Sequence, residues 1–413
     1  MSTMRSIRVP GCGLALVSLL LLGGCNSSDS AAAPPPPGRP GTSAAVNVTP
    51  SPDATPSGAE TAEAAGEACV QQSFGELTAA QRAGQLVMTG VPIGDPDRDR
   101  TLVRKKHLGS VFLAGRTGHK ASTIKKGLAG LSAQTTKTTT VKLLVSVDQE
   151  GGRVQSLRGS AWTTIPAATV QGRWSTSKLT SRTRTWVKEL KNAGINMDLA
   201  PVADTVPAGT ASRNPPIGYY NRQYGSTSTT VGRAVRTVTS TMQAGSVIPT
   251  VKHFPGLGRV RYNTDTSTRA VDTVTGVDSA YLRPFQAGID AGAGAVMISS
   301  ASYPKIDKKN LAVFSTPVIT DLLRERMNYQ GVVMTDDVGR AVAVQSVSRG
   351  LRATRFIAAG GDLVLTVVPA AATTMVDAIV AKAADSSGFR AQVNASTLRV
   401  LRLKQRSGLL TCR

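Results

Sequence analysis

The sequence predicts an α/β protein folded as a single closed (β/α)8 barrel, and three observations lead there. Eight short apolar runs follow one another after residue 69, each rich in Val, Ile, Leu or Met. Between them lie longer stretches with the spacing of amphipathic helices. With 413 residues, 41% of them hydrophobic, the chain is long enough to bury the core that a barrel of about 250 residues requires.

The runs are 85–90, 109–113, 143–147, 196–200, 247–251, 295–299, 332–335 and 362–367. Each reads as a strand of the buried type and each is followed by a loop. Among the connecting stretches, one begins where Ser315 or Thr316 can cap, places Pro317 in the first turn, and sets Val318, Ile319, Leu322 and Leu323 on one face. A second runs from Ser181 to Ala193 and stops at Gly194, where a residue without a Cβ can take the left-handed closing conformation. An open doubly wound sheet has the same local pattern; the count of eight favours the closed TIM barrel.

Ahead of this region the composition changes twice. Arg5 and Arg8 precede an apolar run from Leu14 to Leu22, too short to span a bilayer as a mature helix. The run ends in Leu22-Gly23-Gly24-Cys25, similar to the processing box of bacterial lipoproteins. Residues 1–24 therefore read as a lipoprotein signal peptide, and Cys25 as the lipidated first residue of an exported protein held on the outer face of the cell membrane. Residues 25–66, rich in Pro, Ala, Ser and Thr, read as a disordered tether, and 67–413 as the barrel domain.

Four cysteines are present; Cys12 falls in the signal and Cys25 takes the lipid, which leaves Cys69 and Cys412 bracketing the domain. A disulfide between them is expected in an oxidising compartment, where closing so long a loop is worth about 4–5 kcal/mol in the chain-entropy account. The formal charge is +22, and removing Arg5 and Arg8 with the signal leaves +20. No basic run is interleaved with aromatics, so the surplus points to anionic envelope polymers, lipid headgroups or an ordinary solvated surface rather than to nucleic acid. A monomer is expected.

In a (β/α)8 barrel chemistry sits at the C-terminal ends of the strands, so the residues just after each run are the candidates. Polar residues gather there: Asp148-Gln149-Glu150 after the third run, Asp204 after the fourth, Lys252-His253 after the fifth, and Asp336-Asp337 after the seventh. Gly151-Gly152 and Pro255-Gly256-Leu257-Gly258 add turns that let backbone approach a ligand. One Asp at a strand end is more often a helix cap or a structural ion pair. Four clusters on one rim argue for a site. There is no Cys/His cluster with metal-ligand spacing and no phosphate-cradling glycine loop, so no metal or other cofactor is expected.

The segments Val147-Asp148-Gln149-Glu150-Gly151-Gly152-Arg153-Val154-Gln155, Asn196-Met197-Asp198-Leu199-Ala200-Pro201-Val202-Ala203-Asp204, Lys252-His253-Phe254-Pro255-Gly256 and Gly331-Val332-Val333-Met334-Thr335-Asp336-Asp337 resemble the N-acetyl-β-hexosaminidase branch of glycoside hydrolase family 3. Asn214-Pro215-Pro216-Ile217, followed by Arg222-Gln223-Tyr224-Gly225, adds a fifth match, and the resemblance runs in order from about Gln71 to Leu410. It implies that Asp336 is the nucleophile of a retaining glycosidase. It also implies that Asp148, Arg222, Lys252 and His253 bind the non-reducing sugar, and that the substrate is an amino-sugar glycan such as a peptidoglycan fragment.

Two positions depart from the family's pattern. The branch draws its general acid/base from a histidine in an Asp-Ser-His segment on the loop after the fifth strand. Here that loop keeps Asp265 but has no histidine, and the chain holds only His107, His119 and His253. Ser156 stands where a sugar-holding arginine is expected, with Arg158 near enough to substitute. Losing a general acid removes about 10²–10⁴-fold of rate, so three readings stay open. Asp265 acts as the acid/base; His119 reaches the site from the loop after the second strand; or the protein is a glycan-binding envelope lipoprotein without turnover.

Overall fold

The computed structural model describes residues 58–135 and 139–410. Cys25, Cys412 and the segment read as a signal peptide lie outside these residues, as does the tether as far as residue 57.

Eight parallel strands form one sheet: β1 Val87–Pro92, β2 Ser110–Ala114, β3 Leu144–Val147, β4 Met197–Asp198, β5 Ile248–Phe254, β6 Ala295–Ile298, β7 Val332–Thr335 and β8 Val364–Thr366. Each falls on one of the eight apolar runs. The order is sequential through β7, and β8 pairs with β1 through Val87 and Val364. The ring closes where Met334 bridges Leu363 and the Thr335 N–H donates to the Leu363 carbonyl at 3.0 Å. A closed ring leaves no edge and turns every strand's C-terminal end to one face.

Helices fill the connections. They are α1 Gly58–Glu76 and α2 Ala79–Gln85 ahead of the barrel, then α3 Arg100–Lys105, α4 Ala121–Thr135, α5 Thr176–Asn192, α6 Ser228–Ala244, α7 Arg283–Asp290, α8 Pro317–Arg326, α9 Arg349–Ala358, α10 Pro369–Asp385 and α11 Ser387–Arg406. The helix expected from Ser181 begins earlier, at Thr176, because the Ser175 side chain accepts the Lys178 N–H and caps it. Gly194, at φ 78°, closes it as expected. At α8, Ser315 is the residue whose hydroxyl accepts the Val318 N–H, and the segment has π-helical hydrogen bonding.

α1 starts inside the stretch that composition assigns to the tether. From 57 to 66 the residues are Ser, Gly, Ala, Glu and Thr with no further proline, so nothing blocks a helix there. Tertiary contact then holds it: the Arg402 guanidinium of α11 grips the Glu67 carboxylate at 2.8 and 2.7 Å. On the same side of the molecule, fully buried Asp362 accepts Arg324 at 2.6 Å, Arg399 at 2.7 Å and the Val333 N–H at 2.8 Å, joining α8, α11 and the β7–β8 seam.

Candidate active site

The C-terminal ends of the strands surround a cavity of about 1140 Å³. All seven residues singled out for chemistry line it: Asp148, Arg158, Arg222, Lys252, His253, Asp265 and Asp336. His119 does not; it is exposed on the loop after β2, where its carbonyl accepts the Trp162 indole N–H. The reading in which His119 supplies the proton has no support in this arrangement.

Two cations and two carboxylates interlock here, with Asp148, Arg222 and Lys252 lining the cavity and Glu150 buried behind them. Lys252, on β5, donates to Asp148 Oδ1 at 2.6 Å and lies 2.7 Å from Glu150 Oε1. Arg222 reaches Glu150 with Nε at 2.9 Å and Nη2 at 2.7 Å, and its Nη1 donates to the Pro216 carbonyl at 2.8 Å. Glu150 is buried, and burial pushes its carboxyl up, but the Arg222 and Lys252 charges outweigh that and hold it at about 2. For Lys252, burial works against the charged form and Asp148 and Glu150 overcome it, so the ammonium stays protonated with its pKa raised. The quartet is electrically balanced, as buried ions must be.

Asp198, at the end of β4, has no cation left to share. Burial raises its carboxyl to about 8 against the pull of Lys252, so at neutral pH it carries a proton while Oδ1 accepts the Gln149 N–H at 3.0 Å. The Gln149–Gly151 and Val154–Gln155 hairpin that presents Glu150 folds back sharply. Gly151, at φ 102°, has room for no Cβ, which would meet Ile165 Cγ2 and the Pro166 carbonyl at 2.5 Å.

His253 is fixed from both sides. Its Nδ1 is 2.7 Å from Asp204 Oδ2, and Asp204 is itself buried and accepts the Leu257 N–H at 2.7 Å. Nε2 faces Arg222 Nη2 at 3.3 Å. A guanidinium only donates, so Nε2 accepts and the ring proton sits on Nδ1.

Across the cavity, the loop after β7 carries Asp336 and Asp337. Asp336 Oδ1 accepts the Asp337 N–H at 2.8 Å, which orients its carboxylate. Asp337 Oδ1 accepts from Gly339 at 2.8 Å and Val367 at 3.0 Å, tying this loop to the end of β8. Asp265 sits at the lip of the cavity, its backbone N–H donating to Asn263 Oδ1 at 3.0 Å. Desolvation by the surrounding protein and the Asp336 charge raise its carboxyl to about 6, with Arg222 and His253 pulling the other way. One carboxyl held partly protonated beside another is the arrangement that divides acid from nucleophile in a glycosidase.

The seven candidates are legible in the sequence, but Arg116, Tyr220, Asn263 and Arg340 of the lining and the roles of Glu150, Asp198 and Asp204 are not. Each of these three acids lies in a segment that motif matching marks, yet its partner is distant: residue 150 meets 222, and 204 meets 253. Among the described residues no group of three His, Cys, Asp or Glu side chains is placed to hold a metal ion.

Comparison with known proteins places this geometry. The glycosyl hydrolase family 3 N terminal domain matches residues 78–403. A beta-hexosaminidase of Stenotrophomonas maltophilia (strain R551-3) is 33% identical over 236 residues, covering 55% of this chain and 67% of its own. A beta-hexosaminidase of Xylella fastidiosa (strain 9a5c) is 31% identical over 277 residues, covering 63% and 77%. The crystal structure of a beta-N-acetylhexosaminidase from Beutenbergia cavernae DSM 12333 superposes with a TM-score of 0.77 at 44% identity, over 79% of this chain and 98% of that one. By the domain match over most of its length and by its barrel, the chain belongs to glycosyl hydrolase family 3.

Proposed function

We propose that the protein is a retaining β-N-acetylhexosaminidase acting on N-acetylglucosamine-containing glycans of the cell envelope, with Asp336 as nucleophile and Asp265 as general acid/base. The observation that carries this reading is that Asp265, raised to about 6, shares one cavity with Asp336. The sequence of steps balances with these two groups alone. A carboxylate oxygen of Asp336 bonds to the anomeric carbon as the glycosidic C–O bond breaks, and the Asp265 proton passes to the departing oxygen. Asp265, now ionised, takes a proton from water, whose oxygen displaces Asp336 and restores the starting state. Asp148, Arg222, Lys252 and His253 hold the sugar, and Arg158 lines the wall beside them. A non-catalytic sugar receptor remains the second reading, favoured by the missing histidine.

The test is aglycone release from an activated aryl N-acetyl-β-glucosaminide. Release by the wild type that disappears in Asp336→Asn supports a retaining glycosidase. No release above that variant, with measurable sugar binding, overturns it in favour of the receptor.

The same proposal covers location. Export, lipidation at Cys25 and a Cys69–Cys412 bridge fit a protein working at the outer face of the membrane. Cys69 is buried on α1, which packs on α11. Membrane partition that is lost in Cys25→Ser, and a thiol titration finding neither Cys69 nor Cys412 reactive, are the expected results.

A further inference from the structure

A second cleft of about 400 Å³ lies beside the first and has a different character. Three separate segments bring Arg213, Arg259, Arg261 and Arg269 to its wall. None of the four forms an ion pair with a carboxylate among the described residues. Two of them lie over aromatic rings, Arg259 at 3.4 Å from the centroid of Tyr281 and Arg269 at 4.2 Å from that of Tyr262. Stacking fixes the plane of a guanidinium and leaves its N–H edge available for a planar anion.

Asp272 is the one carboxylate lining this cleft, and it is turned inward. Its Oδ1 accepts the Val274 and Thr275 N–H groups at 2.8 and 2.9 Å, and its Oδ2 the Thr275 hydroxyl at 2.6 Å. Three of its roughly four acceptor sites are therefore taken within its own turn. Beside the cations the cleft shows apolar surface: Tyr262, Val271 and Val274 are 40%, 37% and 52% exposed. Cations flanked by exposed apolar groups suit a ligand with acidic substituents on a ring that has an apolar face.

The two clefts are adjacent. Tyr262 lines the second and its neighbour Asn263 the first, so a single loop, the one carrying Asp265, forms the partition. Resting on the glycan reading given above, we propose that the second cleft binds an acidic glycan, through carboxylate or phosphate groups on the arginines and sugar rings on Tyr262 and the valines. A strand held there is delivered to the catalytic cavity across the partition.

The test uses the full chain and four probes of matched length: an oligogalacturonate, a phosphorylated mannan oligosaccharide, a neutral chitin oligosaccharide and single-stranded DNA. At least one of the two acidic oligomers is expected to bind tenfold or more tightly than the neutral one, and which of them does so tells carboxylate from phosphate. The double variant Arg213→Ala/Arg269→Ala is expected to lose tenfold or more of that affinity and about two units of the logarithmic salt slope. Its rate on a small aryl glucosaminide is expected to stay within twofold of wild type, which shows that the fold is intact. Equal binding by the double variant, no preference over the neutral oligosaccharide, or tighter binding of DNA than of either acidic oligomer overturns the proposal. Because binding is read directly, an inactive wild type contradicts the enzymatic reading and leaves this result standing.

Discussion

His253 donates from Nδ1 to Asp204 at 2.7 Å and accepts at Nε2 from Arg222 at 3.3 Å, so both ring nitrogens are committed before a sugar arrives. In the proposed reaction this histidine positions Arg222 at the wall of the cavity, and the proton for the leaving group comes from Asp265. Asp204→Asn puts an amide where the acceptor stood and favours the other tautomer. The expected result is a rise in KM, with kcat/KM down about 10–100-fold, the effect of losing one hydrogen bond to a charged group. Nitrogen NMR of the imidazole should show the shift of tautomer.

Asp198 and Glu150 are both buried acids within the same cluster, and their substitutions should differ sharply. Asp198 holds its proton at pH 7, so Asp198→Asn is close to isosteric and is expected to cost less than about 1 kcal/mol. Glu150→Gln strands Arg222, takes one of the two carboxylates from Lys252, and is expected to cost about 3–5 kcal/mol. Chemical denaturation reads both.

The Asp198 carboxyl also sets a pH dependence. Its folded pKa of about 8 stands above the ordinary 3.8, so between those values the native state binds the proton more tightly than the unfolded chain. Its contribution to stability is complete below about pH 4 and is lost as the pH rises toward 8. Asp198→Asn should remove that slope from the denaturation midpoints.

Buried Asp362 is shared by Arg324 and Arg399 and also accepts the Val333 N–H. Asp362→Ala leaves two guanidiniums without their carboxylate and the Val333 N–H without this acceptor at the seam where the barrel closes. A loss of about 3–5 kcal/mol is expected, seen as a fall in denaturation midpoint with catalytic constants unchanged in the surviving folded fraction.

The fold was legible because strand hydrophobicity is a local property. Val332–Thr335 and Ala295–Ile298 read as buried strands without knowledge of their neighbours, and the ends of the apolar runs marked Asp148, Lys252 and Asp336, although β5 extends past its run to include Lys252 and His253. What could not be read is the consequence of contacts between distant segments. Asp198 looks like any strand-end acid until the structure shows Lys252 already shared by Asp148 and Glu150. Asp204 reads as one more acid on the rim until His253 is seen to rest on it. The arginines of the second cleft come from three segments, and only the barrel's loops bring them to one wall. The start of α1 was hidden for a related reason, since its hold on the domain is the Glu67–Arg402 pair between opposite ends of the chain.

Asp265 at about 6 implies that the acid form needed for leaving-group protonation is lost as the pH rises through 6, while Asp336 must be ionised. For an unactivated glycoside, kcat/KM should fall above about pH 6, and Asp265→Asn should abolish that limb.

The most direct test of Asp265 as the acid is a series of aryl N-acetyl-β-glucosaminides of increasing leaving-group pKa, assayed with the wild type and Asp265→Ala. Values of kcat/KM, which end at the glycosyl-enzyme and so leave out the water step that also needs Asp265, are expected to lie within a few-fold of each other for a dinitrophenyl leaving group, with a deficit growing to about 10²–10⁴-fold for the variant as the leaving group approaches a sugar alcohol. A deficit that is the same across the series, or absent throughout, contradicts it.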